Sequence, residues 1–275
     1  MPELPEVQTI VNELKEEIVG KKIAKVEVFE PKMVQGDKGK LDGLAIADVR
    51  RRAKLIIIDL EKNWHLAIHL KLTGQLIYQN QKSKIKEQKD LGPTRVIFYF
   101  TDDSQLFFND LRKFGYVKIL DDKGLQENLK KENYGPEPLE KEFTQKKFQE
   151  LLSRKLNAQI KPLLMDQTFI AGIGNLYSDE ILFYAGVHPK RKVRELKSEE
   201  AKKIYEGIRK ILNEALKYKG SSIDTYRRTS GKKGAYELHR KVYRREGQKC
   251  FKCGSIIKSL KIGGRTAYFC PKCQR

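Results

Sequence analysis

The sequence predicts an α+β chain with a β-rich N-terminal part, a hinge, a helical part and a small metal module at its C-terminus. Three observations carry this reading. Short apolar or alternating blocks, the mark of strands, recur between residues 23 and 120. Apolar residues then return at helical spacing between residues 146 and 217. All four cysteines, Cys250, Cys253, Cys270 and Cys273, fall in the last 26 of the 275 residues.

Val7, Ile10, Val11, Leu14 and Ile18 form one apolar stripe. A helix is therefore expected over 7–18, anchoring the N-terminus, with Gly20 as its stop signal. Strands are expected over 23–29, 54–60, 65–78, 94–100, 105–108 and 116–120, with Thr101-Asp102-Asp103-Ser104 as a hairpin turn. The polar stretch 81–90 has little to bury and reads as a loop. Two prolines in Gly135-Pro136-Glu137-Pro138 exclude helix continuation and mark a break. Beyond it, helices are expected over 146–152, 161–165, 175–184 and 199–217. Ser198 reads as the N-cap of the last, and Gly220 lies just past its end. The basic stretch from Gly231 to Gly234 is expected to be mobile without a partner. No internal repeat is present.

The formal net charge is +20, from 56 Lys+Arg against 36 Asp+Glu. Such an excess points to a polyanion, because cations that neutralise phosphates release counterions. The charge is also concentrated. From Arg227 to Arg275 there are 15 Lys+Arg and only Glu237 and Glu246 as acids, which suits a binding surface better than an evenly solvated one. No apolar run approaches the ~18 residues of a membrane span. The acidic, polar start Met1-Pro2-Glu3-Leu4-Pro5-Glu6 does not read as a secretory signal, so a cytoplasmic protein is expected.

In that setting clustered cysteines suggest a metal site rather than disulfides. Cys250 and Cys253, then sixteen residues, then Cys270 and Cys273 give two chelating pairs on either side of a hairpin. Four thiolates complete a tetrahedral zinc site and leave no position for substrate or water, so one Zn2+ is expected in a structural role. A redox dithiol would need a βαβ setting that is missing here. Gly263-Gly264-Arg265-Thr266 between the pairs reads as a turn presenting Arg265, which the metal would fix in place.

Removal of Met1 would leave Pro2 as a secondary amine, and an α-amino group titrates near 8, so part of it is neutral and nucleophilic. Such an amine can attack a sugar C1′ and form an imine. Alone, a proline at position 2 carries no such meaning. The string Pro2-Glu3-Leu4-Pro5-Glu6-Val7, however, resembles the N-terminal signature of formamidopyrimidine-DNA glycosylases, and the resemblance runs the length of the chain. It recurs in Arg52-Ala53-Lys54, in His69-Leu70-Lys71-Leu72-Thr73-Gly74 and in Asn109-Asp110-Leu111-Arg112-Lys113-Phe114-Gly115. It continues through Gly135-Pro136-Glu137-Pro138-Leu139, Gly172-Ile173-Gly174-Asn175, Gly264-Arg265-Thr266 and Cys270-Pro271-Lys272-Cys273.

The resemblance implies a β-sandwich with an N-terminal helix over 1–128, a hinge over 129–140 and a helix-two-turns-helix domain over 141–226. A basic recognition loop and linker would follow over 227–245, then a four-cysteine zinc β-hairpin over 246–275. It implies a bifunctional base-excision enzyme, monomeric and of bacterial, nucleoid-associated type. That enzyme excises oxidised purines from damaged double-stranded DNA and cleaves the abasic site by β,δ-elimination. Pro2 would be the Schiff-base nucleophile and Glu3 the acid/base that opens the deoxyribose ring. Lys54 and Arg265 would hold the phosphates of the extruded nucleotide and assist the eliminations.

Leu72, Arg112 and Phe114 would fill the hole left in the duplex, with Leu72 standing where the family has methionine. Lys155, Lys161, Asn175 and Tyr243 would contact the DNA backbone. Gly220-Ser221-Ser222-Ile223-Asp224-Thr225-Tyr226 resembles the start of the lesion-recognition loop. The chain departs from the family at Gln8 (usually glutamate), at Pro93-Thr94-Arg95 (usually a histidine-containing segment), at Arg244 (usually glycine) and at Lys249 (usually proline). Two alternatives stay open: an endonuclease VIII-like enzyme for oxidised pyrimidines, and a non-catalytic zinc-ribbon DNA-binding protein. Leu4 and the Arg112/Phe114 pair favour the purine-directed enzyme over the first, and the N-terminal signature is unexplained by the second.

Overall fold

A computed structural model describes residues 1–81 and 91–275; most of the expected loop 81–90 lies outside the described residues. They group into two compact units, Met1–Glu132 with Leu216–Glu237, and Asn133–Ala215 with Leu238–Arg275.

The first unit opens with α1 (Leu4–Ile18), three residues earlier than the apolar stripe alone suggests. Glu3 is the reason. It caps the helix, and Glu6 reaches back to accept from its backbone N–H at 2.8 Å, a capping box that starts the helix at once. Among the described residues nine strands follow: β1 (Ile23–Val28), β2 (Val34–Gln35), β3 (Ile46–Arg52), β4 (Leu55–Leu60), β5 (Trp64–His69), β6 (Gly74–Gln79), β7 (Thr94–Phe100), β8 (Gln105–Asp110) and β9 (Tyr116–Asp121). They form two sheets, ordered β1-β7-β8-β6 and β2-β9-β5-β4-β3. Thr101–Ser104 is the hairpin turn between antiparallel β7 and β8, as expected.

One apolar core takes side chains from α1 and from both sheets, which makes this unit a β-sandwich with an N-terminal helix. β4 shows how the pattern works. Ile56, Ile58 and Leu60 enter that core, while Leu55 and Ile57 point the other way onto Leu125 of α2 (Asp122–Glu132). Burial on both faces explains the continuous apolar run Leu55-Ile56-Ile57-Ile58. The expected strand 65–78 is two strands, because the chain turns at residues 70–73, where Lys71 takes φ 48°. The basic stretch expected to be mobile is tied down: Gly231 N–H donates to Arg228 C=O at 2.8 Å and Gly234 N–H to Ser222 Oγ at 2.9 Å.

The second unit carries α3 (Gln145–Ser153), α4 (Ile160–Met165), α5 (Asn175–Ala185), most of α6 (Ser198–Lys217) and the hairpin β10 (Lys258–Ile262) and β11 (Arg265–Phe269). α5 is buried almost all round, polar Ser178, Asp179 and Glu180 included. Ser198 lies inside α6 rather than capping it: Lys197 C=O accepts the first helical bond, from Ala201, and Glu200 accepts from Lys197 N–H at 2.8 Å. Among the described residues no helix is long and apolar enough to cross a membrane.

Candidate functional site

In the first unit the candidate groups sit at the ends of α1, β4 and β5 and on two loops. Pro2 is buried immediately before α1, and Glu3, 5% exposed, is the N-cap. Lys54, also 5% exposed, lies in the tight turn between β3 and β4, immediately before Leu55 and after Ala53, whose φ is 54°. A side-chain relay joins α1 to this turn. Arg51 Nε donates to Gln8 Oε1 at 2.8 Å, and the same guanidinium donates to Ala53 C=O at 2.8 Å.

Beside Lys54, Leu55 pairs with His69 at the end of β5. Burial pushes the His69 imidazole down to about 3, and the cations Lys71 and Lys54 add to the effect. Its Nδ1 accepts from Lys71 N–H at 2.9 Å, so the neutral ring carries its proton on Nε2. His69 is a functional candidate that local sequence does not single out, since its burial and its place beside Lys54 arise only from the strand pairing.

The loop with Leu72 and the loop with Arg112 and Phe114 are brought together by one buried carboxylate. Asp110 Oδ1 accepts from Thr73 Oγ1 and from Arg112 N–H at 3.0 Å, and its Oδ2 accepts from Gly115 N–H at 2.8 Å. Gly115 is required by space: a Cβ there would meet Phe108 at 2.7 Å and His69 C=O at 3.1 Å. Held in this way, Phe114 projects 52% exposed with the Arg112 guanidinium 4.8 Å from its ring centroid. Asp110 is a second residue the sequence reading did not single out, because its role depends on a contact 37 residues away.

In the second unit two consecutive acids of α5 organise the candidate DNA contacts. Glu180 accepts from the backbone N–H groups of Lys241, Val242 and Tyr243 at 2.7–3.0 Å and so fixes Tyr243. Asp179 accepts from Lys161 Nζ at 2.6 Å and from Tyr268 N–H at 3.0 Å, tying down β11. Burial pushes the Asp179 carboxyl up, and the Lys161 ammonium opposes that shift. The expected DNA contact at Lys161 is corrected here. Its side chain is 0% exposed and engages Asp179 and Thr266 C=O, so it supports the hairpin from inside. Lys155 is exposed, and Asn175 is the half-buried first residue of α5, where helix N–H groups favour an anion.

Arg265 is exposed as the first residue of β11, not in the turn itself. The turn is Gly263-Gly264, with φ of 54° and 73°, the two-residue geometry that two positive φ values demand. At the other end of the hairpin the four cysteine sulfurs lie within 4.8 Å of one another, with Cys250–Cys273 at 4.0 Å and Cys253–Cys270 at 3.4 Å. A four-thiolate zinc tetrahedron has S···S edges of ~3.8 Å. Donor set and spacing therefore fit one structural Zn2+ held by Cys250, Cys253, Cys270 and Cys273.

Comparison with known proteins gives three consecutive family matches. Residues 1–117 match the formamidopyrimidine-DNA glycosylase N-terminal domain, 134–227 the formamidopyrimidine-DNA glycosylase H2TH domain, and 247–275 the zinc finger found in FPG and IleRS. The chain belongs to the formamidopyrimidine-DNA glycosylase family. Curated relatives of that name include those of Pelotomaculum thermopropionicum, 38% identical over 280 residues, and Streptococcus pneumoniae, 38% over 283; each alignment covers 100% of this chain and 99% of the relative. Among solved structures, a mutant of the Lactococcus lactis enzyme with Fapy-dG-containing DNA superposes with TM-score 0.89 at 34% identity, covering 100% of both chains. MutM in complex with carbocyclic 8-oxo-G-containing DNA gives 0.88 at 34%, again over 100% of both.

Three departures from the glycosylase pattern now have physical accounts. Gln8 keeps an acceptor for Arg51 without the usual charge. Arg95 Nε donates to Asp110 C=O at 2.9 Å and so supports the Arg112 loop from below. Arg244 takes φ 52°, which explains why glycine suits this position; its guanidinium lies 5.7 Å from the Tyr243 ring centroid.

Proposed function

We propose that this chain excises oxidised purines from duplex DNA and cleaves the resulting abasic site. The observation that carries the reading is in the first unit. A buried N-terminal proline and a capping carboxylate begin one helix, and the same unit presents Leu72, Arg112 and Phe114 on two loops fastened by Asp110. Relatives solved with Fapy-dG- and 8-oxo-G-containing DNA support the substrate class.

After Met1 removal, the Pro2 nitrogen attacks C1′ of the damaged nucleotide. The glycosidic C1′–N bond breaks as the Pro2 nitrogen bonds to C1′, the base departs with a proton, and cleavage of the C1′–O4′ bond turns the secondary amine into an iminium ion. Glu3 moves the proton that opens the deoxyribose ring. Lys54 and Arg265 hold the flanking phosphates and assist β- and δ-elimination, each of which breaks one C–O bond to phosphate. Leu72, Arg112 and Phe114 fill the space left by the extruded nucleotide and offset lost stacking. Lys155, Asn175 and Tyr243 contact the DNA backbone, and His69 adds an Nε2–H donor beside Lys54. Zinc, when bound, is structural and holds the hairpin that carries Arg265. The protein acts as a monomer on the DNA of a bacterial-type nucleoid.

The test is a panel of matched duplexes carrying 8-oxoguanine, formamidopyrimidine or thymine glycol. The purine lesions are expected to be released fastest. A preference for thymine glycol assigns the chain to the endonuclease VIII-like reading and contradicts ours.

A further inference from the structure

Two glutamates on α1 clamp a segment that is distant in sequence. Glu6 and Glu13 are seven residues apart, two helical turns and ~10 Å along one face. Glu6 Oε1 accepts from Ser221 N–H at 2.8 Å. Glu13 Oε1 accepts from Arg228 Nε at 2.6 Å, and its Oε2 from Thr229 N–H at 3.1 Å and Thr229 Oγ1 at 3.0 Å. Residues 221–229 thus form a strap pinned at both ends to the helix that Glu3 caps.

The strap also lies along β6, the edge strand of its sheet. Tyr78 N–H donates to Thr229 C=O at 2.9 Å, and Gln75 Nε2 donates to Thr225 C=O. Thr225 Oγ1 reaches Leu72 C=O at 3.4 Å. At its apex Ile223 and Thr225 are half-buried and Asp224 is exposed, with the Asp224 carboxylate 3.8 Å from the N-terminal nitrogen of Met1. One backbone segment therefore touches the helix that follows Pro2, the loop of Leu72 and Met1, the residue whose removal frees the Pro2 amine.

We propose that Glu13 is a positioning residue for base excision, setting the apex of the strap and, through Thr225, the Leu72 loop relative to α1. The inference rests on the glycosylase reading above. On that reading a base beside the Pro2 amine would meet the strap apex, because Asp224 lies 3.8 Å from the nitrogen of the preceding Met1, whereas an abasic sugar has no base for the apex to meet. Loss of the Glu13 clamp should then slow base release and spare the chemistry at the sugar. Misplacement by about 1 Å is enough to cost a step tenfold or more.

The experiment compares wild type, E13A and R228Q in single-turnover release of 8-oxoguanine and in cleavage of a preformed abasic duplex by the same preparations. E13A is expected to lose about tenfold or more in base release while abasic cleavage stays within about twofold. R228Q, which leaves both Thr229 bonds on Glu13, is expected to show a smaller split of the same sign and serves if E13A folds poorly. Equal loss in both assays means a general structural role and overturns the proposal, as does no loss in either. Failure of wild type in both assays would instead defeat the glycosylase reading itself.

Discussion

Lys161 Nζ lies 2.6 Å from Asp179 Oδ1, and neither side chain has any exposure. The pair joins α4 to α5, and through Thr266 C=O and Tyr268 N–H it holds both residues that flank Ala267 in β11. A lysine expected on the DNA face thus acts one layer beneath it. Removing one partner strands a buried charge, which costs roughly 3–5 kcal/mol, whereas replacing both with apolar groups costs much less. K161M is therefore expected to lower the urea midpoint sharply, and K161M/D179L to recover most of it. Equal midpoints for K161M and wild type would contradict this role.

A second carboxyl makes stability depend on pH. Burial, with the like charges of Glu13 and Glu16, pushes Glu17 up from 4.5 to about 7. Between those values the folded chain holds a proton that the unfolded chain has lost, so this contribution is full below pH 4.5 and fades as pH rises through about 7. E17Q should match wild type at pH 4 and exceed it at pH 8 in urea unfolding. A constant difference at both values would place the effect outside titration.

Zinc and cleavage should be lost together. A two-stranded hairpin is marginal in water, and the cysteine cluster anchors the one that carries Arg265. C270S is expected to bind no zinc by elemental analysis and to lose DNA cleavage. Full cleavage by zinc-free C270S would refute the structural role of the ion.

The exposed wedge separates catalysis from stability. F114A removes a side chain that is 52% exposed, so its melting temperature should change little. Its base release should fall roughly tenfold or more, because the hole in the duplex stays unfilled. L72M, nearly volume-conserving, should stay within about threefold in base release. A large stability loss in F114A would make it a core residue instead.

Strands and helices with strong periodicity were legible in the sequence, as was the metal knuckle spacing. β3 was not: Arg50, Arg51 and Arg52 hide its alternation, with Arg50 held by Asp59 and Arg51 by Gln8 and the Ala53 carbonyl. α2 was missed because Leu125 is its one buried residue and Gly124 interrupts it. The turn between β5 and β6 carries no glycine or proline before Gly74, so two strands read as one. At the candidate site, motifs point to Pro2, Glu3, Lys54 and Arg265, but no local pattern announces Asp110, the Lys161–Asp179 pair or Glu13. Glu13 and Thr229 are 216 residues apart, and only the folded chain brings them into contact.

In the proposed reaction the amine of Pro2 is the nucleophile. Borohydride trapping of the Met1-processed protein on abasic duplex DNA, followed by mass spectrometry of the adduct peptide, tests it most directly. We predict one covalent adduct on the Pro2 nitrogen, absent when Met1 is retained. An adduct on a lysine, or no adduct with processed protein, would rule out Pro2 as the nucleophile.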